Sequence, residues 1–411
     1  MELVSISRKM LLNKVVEGLG GIYRDHKNRE LLGLMNPSIP TKSIDWQSRL
    51  FLKRLSIGSV LIWMFDTDEE SCPGISGCSY FNYINVNCKL PGVELSEIPD
   101  ECTSLVVKRF YVDLNYHVAA NPSNCEKNKI NTDKVLAFSK PVYVYYGYAT
   151  QSEWTQVLAC EVCDGGTNSL DEMKGLKAFF NEHPGITGVI LSAFEHNEYS
   201  TEFPGFSENL KKYIEVMKSS FPGLEVGIQF EGQFLIDQYT NPQIPWLDIA
   251  VIEPVTDFFI ISVMHLNDCT DESLYNSGIA PMTSSTTPYT MEKIKSILPE
   301  LSIPKGKLYF KYMLNPYSDP NDSHTLCDLT IQQMCEHPLD TTLYCSESME
   351  SFYKKGQFAF ENGAGFITEE IGLNDPENKC KCEKPFGSFY ALLNGFECGI
   401  PKPCALYPCR Q

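Results

Sequence analysis

Several absences narrow the class of this 411-residue chain. No apolar run approaches the roughly 20 residues that a membrane-spanning helix needs, so no membrane partner is expected. Lys and Arg form no cluster dense enough to bind a phosphate backbone, and the formal net charge is -18. That balance excludes a nucleic-acid partner and suits a neutral or basic ligand. The one C-x-x-C, Cys160-Glu-Val-Cys163, has no second pair and no His cluster at finger spacing. A metal centre is therefore not expected, and no cofactor is called for. The segment Met1 to Tyr23 has no apolar stretch followed by a small-residue cleavage site, so no secretory leader is visible. Polar bias is also too low for disorder, with 43% hydrophobic residues and 12% aromatics.

Cysteine, by contrast, is abundant. There are 16, concentrated near 72–102, 327–345 and 380–409 in surroundings rich in Pro, Gly, Asn and Asp. Such usage fits disulfides formed in an oxidising, extracellular setting. Asn321-Asp322-Ser323 is a single glycosylation sequon, Asn321 being the acceptor, and agrees with secretion. Either the protein stays inside the cell or its natural amino terminus lies upstream of Met1; the repeat described next favours the second.

Two segments share one pattern. The first runs Ser56-Ile-Gly-Ser-Val-Leu-Ile-Trp-Met-Phe-Asp-Thr-Asp68, then Cys72 and Cys78, then Ser79 to Asn85 and Cys88. The second runs Gly363-Ala-Gly-Phe-Ile-Thr-Glu-Glu-Ile-Gly-Leu-Asn-Asp375, then Cys380 and Cys382, then Ser388 to Asn394 and Cys398. Each opens on small residues, continues as a short apolar run and ends in acidic or amide residues, as a buried strand does on leaving a core.

The first copy resembles the eighth barrel strand of the family 18 glycoside hydrolases, the chitinases, whose pattern is Gly-Gly-x-Met-x-Trp-x-x-Asp-x-Asp-Asp. Trp63, Asp66 and Asp68 fall on it; the second copy has Glu369 at the Trp position. Other segments match in order: Cys102 to Val107, Pro141 to Tyr148, Phe179 to Glu195, Asp257 to Met264 and Lys307 to Met313. The resemblance implies a tandem arrangement: residues 1–90 as the tail of a preceding chitinase-like copy, 95–398 as a chitinase-like barrel, and 399–411 as a Cys/Pro-rich tail.

Independently, β-like runs alternate with helical stretches at Ser169 to Glu182, Ser207 to Ser220 and Thr290 to Leu298. That alternation predicts a parallel α/β sheet, and at this length a closed TIM-type (β/α)8 barrel. No counterpart of the family's first strand stands between 90 and 101, so residues 59–65 are expected to fill the first slot beside the strand at 104–110.

Chitinases of this family carry Asp-x-x-Asp-x-Asp-x-Glu along the fourth strand, where alternate side chains converge at the barrel's carboxyl end. The Glu protonates the glycosidic oxygen while the substrate's own N-acetyl group attacks the sugar. In that register this chain has Thr187, Ile190, Ser192 and Phe194. Glu195 lies one residue late, and regular alternation turns it to the other face unless a bulge intervenes. The sixth-strand motif has also changed: Met264-His265-Leu266-Asn267 replaces Met-Thr-Tyr-Asp, removing the phenol that would meet the acetamido carbonyl. His265 reads as a barrel-mouth or loop residue and not as a base. Glu369 in place of Trp removes the aromatic floor under the sugar.

Tyr146, Tyr148, Phe230, Glu231, Tyr312 and Tyr317 stand at or near the predicted carboxyl ends of strands, where barrel sites form. With Met264, His265, Asn267 and Glu369 they make the candidate cleft; the competing reading is core and rim packing. By the same resemblance Cys335 bridges to Cys380 or Cys382, and Cys102, lacking its usual first-strand partner, pairs with Cys72, Cys78 or Cys88. The sequence thus reads as a secreted, catalytically inactive chitinase-like protein that binds a glycan or another protein. The alternatives are a weak or altered glycosidase on N-acetylglucosamine polymers with Glu195 as the acid, helped by Glu231 or Glu369, and a purely structural duplicate. Nothing in the sequence sets an oligomeric state.

Overall fold

The computed structural model describes residues 59–64, 96–112, 118–120, 136, 139–148, 154, 157–158, 167–194, 205–240, 247–269, 272–275, 277–318, 330–336, 344–369 and 371–397. The chain divides into two compact units, Met1–Arg54 and Leu55–Gln411, and all described residues belong to the second.

Eleven strands are described: β1 (Ser59–Met64), β2 (Ser104–Val112), β3 (Val118–Ala120), β4 (Val142–Tyr146), β5 (Ile186–Leu191), β6 (Glu225–Glu231), β7 (Phe258–Ser262), β8 (Leu308–Met313), β9 (Tyr317–Ser318), β10 (Tyr344–Cys345) and β11 (Gly365–Glu369). Eight run parallel in the order β1-β11-β8-β7-β6-β5-β4-β2, and a β1–β2 pairing closes the ring. The architecture is the TIM-type barrel expected. β3 pairs antiparallel with β2, and β9 and β10 form a separate antiparallel pair.

The first slot is filled by β1. Its residues Leu61 to Met64 oppose Ser104 to Val107 on one side, and Ser59 to Ile62 oppose Gly365 to Thr368 on the other. The sequence expected this placement.

The strands are continuous apolar runs because both faces are covered. β4, β7 and β11 are buried at every position. One set of side chains joins the helix layer; the other forms a separate axial cluster of Val106, Tyr143, Tyr145, Ile190, Phe258, Ile260 and Ile367. The α-helices among the described residues are α1 (Thr167–Glu182), α2 (Phe206–Ser220), α3 (Gly232–Thr240), α4 (Ile249–Ile252), α5 (Met291–Ile297), α6 (Ile331–Glu336), α7 (Met349–Asn362) and α8 (Gly387–Phe396). Expected and observed bounds of α1, α2 and α5 agree within two residues. Thr290, expected to open α5, is its cap: its hydroxyl accepts from the Lys293 amide at 3.1 Å. Among the described residues no helix is long and apolar enough to cross a membrane.

Disulfides Cys269–Cys345 and Cys335–Cys380 staple the outer loops. Cys335 thus takes the first of its two expected partners, while Cys382 is engaged in another disulfide. Cys102 departs from expectation. It is a free thiol, fully buried, and burial pushes its pKa up. Cys72, Cys78 and Cys88, the partners expected for it, lie outside the described residues, as do Asn321 and the 399–411 tail.

Candidate functional site

Strand β5 is where the resemblance would put the acids. Its Ile190 sits in the axial apolar cluster beside Tyr145 and Ile260. Four residues on, regular alternation would return Phe194 to the same side, yet Phe194 is buried in the helix layer. Its ring lies 4.8 Å from that of Trp154 and 6.4 Å from that of Phe230. Between them Ala193 adopts φ 66, the left-handed region that residues with a Cβ seldom occupy. The Trp154 indole N–H secures the segment by donating to the Ser192 carbonyl at 2.8 Å. The side-chain phase therefore inverts at the end of β5. Thr187 is half-buried at the other end of the strand. Glu195 itself lies outside the described residues.

Several residues expected in the cleft face away from it. Tyr146, Phe230 and Tyr312 all belong to the outer core. The Tyr146 hydroxyl donates to Glu172 of α1, that of Tyr312 donates to the Lys355 carbonyl at 3.1 Å, and the Phe230 ring stacks on Phe259. The reason is strand parity: in each strand the neighbouring residue of opposite phase faces the axis. Tyr148 packs edge-on against Trp154 at 5.0 Å and leans on the same outer core. Met264 is buried. Asn267 is committed to its own loop, donating to the carbonyls of Ile279 and Tyr289 and accepting from the Thr287 hydroxyl.

Glu231 and Glu369, by contrast, belong to a polar chain inside the barrel. The Lys311 ammonium of β8 lies 2.7 Å from the Glu369 carboxylate, both side chains being nearly inaccessible. The same ammonium stands 5.0 Å over the Tyr145 ring. Tyr145 donates its hydroxyl proton to the Gln229 side-chain carbonyl, and the Gln229 amide donates to Glu231 at 3.0 Å. Burial first, and then the charges of Glu369 and Glu231, raise the Tyr145 pKa well above its ordinary value. The sequence reading missed Lys311, Tyr145 and Gln229. A signal was present: a lysine in the middle of the apolar run Leu-Tyr-Phe-Lys-Tyr-Met must find a buried partner.

The setting of Glu369 differs from that of a glycosidase acid. Such an acid is kept protonated by an apolar or like-charged pocket, whereas Glu369 faces an ammonium. Among the described residues no group of three or more His, Cys, Asp or Glu side chains could hold a metal ion.

The loops after β7 and β8 build a wall beside these strand ends. Cys269–Cys345 joins them, and Leu274, Ile279, Met313 and Tyr317 pack around the bridge. His265 is exposed on this wall, its ring 5.6 Å from that of Tyr317. The two rings meet edge to face, and exposed aromatic surface such as that of His265 is what the C–H face of a sugar ring can cover.

A scan against protein-family models finds no match, and a search of curated proteins finds none either. Among solved structures the neighbours are chitinases and chitinase-like proteins. The Group IV chitinase of Ostrinia furnacalis in complex with allosamidin superposes with TM-score 0.59 at 12% identity, over 83% of this chain and 98% of that one. Catalytic domain 2 of the Group II chitinase of Ostrinia furnacalis gives 0.58 at 11%, over 76% and 94%. A chitinase-like agglutinin from Robinia pseudoacacia gives 0.52 at 13%, over 73% and 94%. The likeness is one of fold.

Proposed function

We propose that this chain is a noncatalytic, extracellular chitinase-like protein that binds a glycan at the mouth of its barrel. The observation that carries the reading is β5: Ile190 lies in apolar interior and Phe194 in the outer core, at two of the positions where the resemblance calls for carboxylates. A strand so built has no acid at those positions to protonate a glycosidic oxygen. The disulfides Cys269–Cys345 and Cys335–Cys380 suit an oxidising compartment. That a structural neighbour is described as an agglutinin is in keeping with binding without turnover. Within the mouth, His265 and Tyr317 form the aromatic wall, and Glu231 and Glu369 lie beneath it in the barrel interior.

Titration calorimetry with chitin oligosaccharides tests the binding half. Measurable heat that falls in His265→Ala and Tyr317→Ala variants is expected; no binding of any oligosaccharide, on titration or on a glycan array, leaves a structural role instead.

One observation favours a second reading, a weak glycosidase with Glu195 as the acid. Glu195 is offset by one residue from the family position, and the phase inversion at Ala193 is the irregularity that such an offset requires. Hydrolysis assays on the wild type and Glu195→Gln separate the two readings.

A further inference from the structure

The pairing of β1 with β11 carries information beyond barrel closure. Ser59 opposes Gly365, Val60 opposes Phe366, Leu61 opposes Ile367 and Ile62 opposes Thr368. Setting Trp63 against Glu369 gives these same pairs, whereas laying residues 56–68 end to end on 363–375 pairs Ser59 with Phe366, one place along. Each residue of β1 thus lies beside, or one place from, its counterpart in the other segment. The slot beside β11 is held here by a segment whose sequence pattern resembles that of β11 itself, in a register within one residue of the repeat's own.

We infer that the gap between β2 and β11 is a strand-acceptor site for an eighth-strand element, supplied in this chain by residues 59–64. Three features support the inference. Both edges of the gap are parallel strands with unpaired backbone groups unless a strand enters, and buried backbone groups must be paired. The incoming strand bonds to both edges over four residues each. The connection from Met64 to Ser104 is long enough to run outside the barrel and return parallel, as a crossover of this kind must. Recognition is then mainly by main-chain bonds, with alternate side chains setting register, the mode by which sheets accept an added strand. The occupant is the eighth-strand pattern itself, so a peptide of either copy should fit the slot.

The test uses the full chain. Ile62→Pro removes a ladder donor in the middle of β1, and proline is excluded from central strands. The variant is expected to unfold several degrees below the wild type, and synthetic peptides 56–68 and 363–375 should each restore the difference, while a peptide of 306–318 should not. A folded variant of wild-type stability, or one that neither repeat peptide stabilises, overturns the inference. Should Ile62→Pro fail to fold, the double variant Leu61→Cys, Ile367→Cys decides: opposed strand residues lie within disulfide reach. Oxidation with oxidised glutathione should then cross-link the pair within one chain, read as a monomer on a non-reducing gel with the 61–367 link in its peptide map. Absence of that link contradicts the proposal. Neither result depends on whether the barrel binds a glycan.

Discussion

Lys311 and Glu369 form an ion pair at 2.7 Å inside the barrel, on adjacent strands and almost sealed from water. Removing one partner strands the other charge in the interior, which typically costs about 3–5 kcal/mol. Glu369→Ala should therefore lower the unfolding free energy by roughly that amount in urea denaturation. The double variant Lys311→Met, Glu369→Leu should regain most of it, since an apolar pair of similar volume has no charge to desolvate. Equal losses in the single and double variants would show that the pair itself, and not the orphaned charge, matters.

Glu172 supplies a pH dependence. Its carboxylate is buried behind β4 and accepts from the hydroxyls of Tyr146 and Tyr213. Burial raises its pKa against the opposing pull of these hydrogen bonds. The folded state then holds the proton more tightly than the unfolded chain. Its stabilisation is complete below the ordinary glutamate pKa and is lost as pH rises through the folded value. Glu172→Gln should remove that part of the decline, so urea midpoints at pH 5 and pH 8 should differ less in the variant. Asp375, also raised by burial, contributes equally to both proteins. An unchanged difference would mean that Glu172 does not titrate as described.

The free thiol of Cys102 gives a third expectation. Being fully buried, it should react with an aromatic disulfide reagent only as fast as the protein unfolds. Cys380→Ser, by contrast, opens a bridge that spans 45 residues of sequence. It should lower stability by about 2–4 kcal/mol. Prompt labelling of Cys102 in the native protein would place its thiol at an accessible surface.

Gly147 explains how the end of β4 is fixed. Its φ is +134, and a Cβ there would lie 2.4 Å from the Trp154 ring. Gly147→Ala is expected to destabilise the barrel and to loosen the Trp154 contact with the Ser192 carbonyl, visible as a red shift of tryptophan emission. A variant as stable as the wild type, with unshifted emission, would mean that Trp154 does not need this close approach.

Much of the fold was legible because its signals are local. The apolar runs at 142–146, 258–262 and 308–313 and the amphipathic stretches between them mark strands and helices. The missing first strand, together with the repeat, pointed to residues 59–65. The side-chain parity of the strands was not legible. Tyr146, Phe230 and Tyr312 lie in strands buried on both faces, so no polar residue marks which phase meets the axis. The Lys311–Glu369 pair and the Tyr145–Gln229–Glu231 chain join distant positions, and only the closed ring brings them together. Cys102 escaped because free and bridged cysteines look alike in a cysteine-rich chain.

The central claim, a chitinase-like barrel without turnover, is tested most directly by hydrolysis of a soluble chitin oligosaccharide by the purified wild type beside Glu195→Gln. No product above the blank is expected from either protein. Turnover by the wild type that the substitution abolishes would contradict it and assign Glu195 as a working acid.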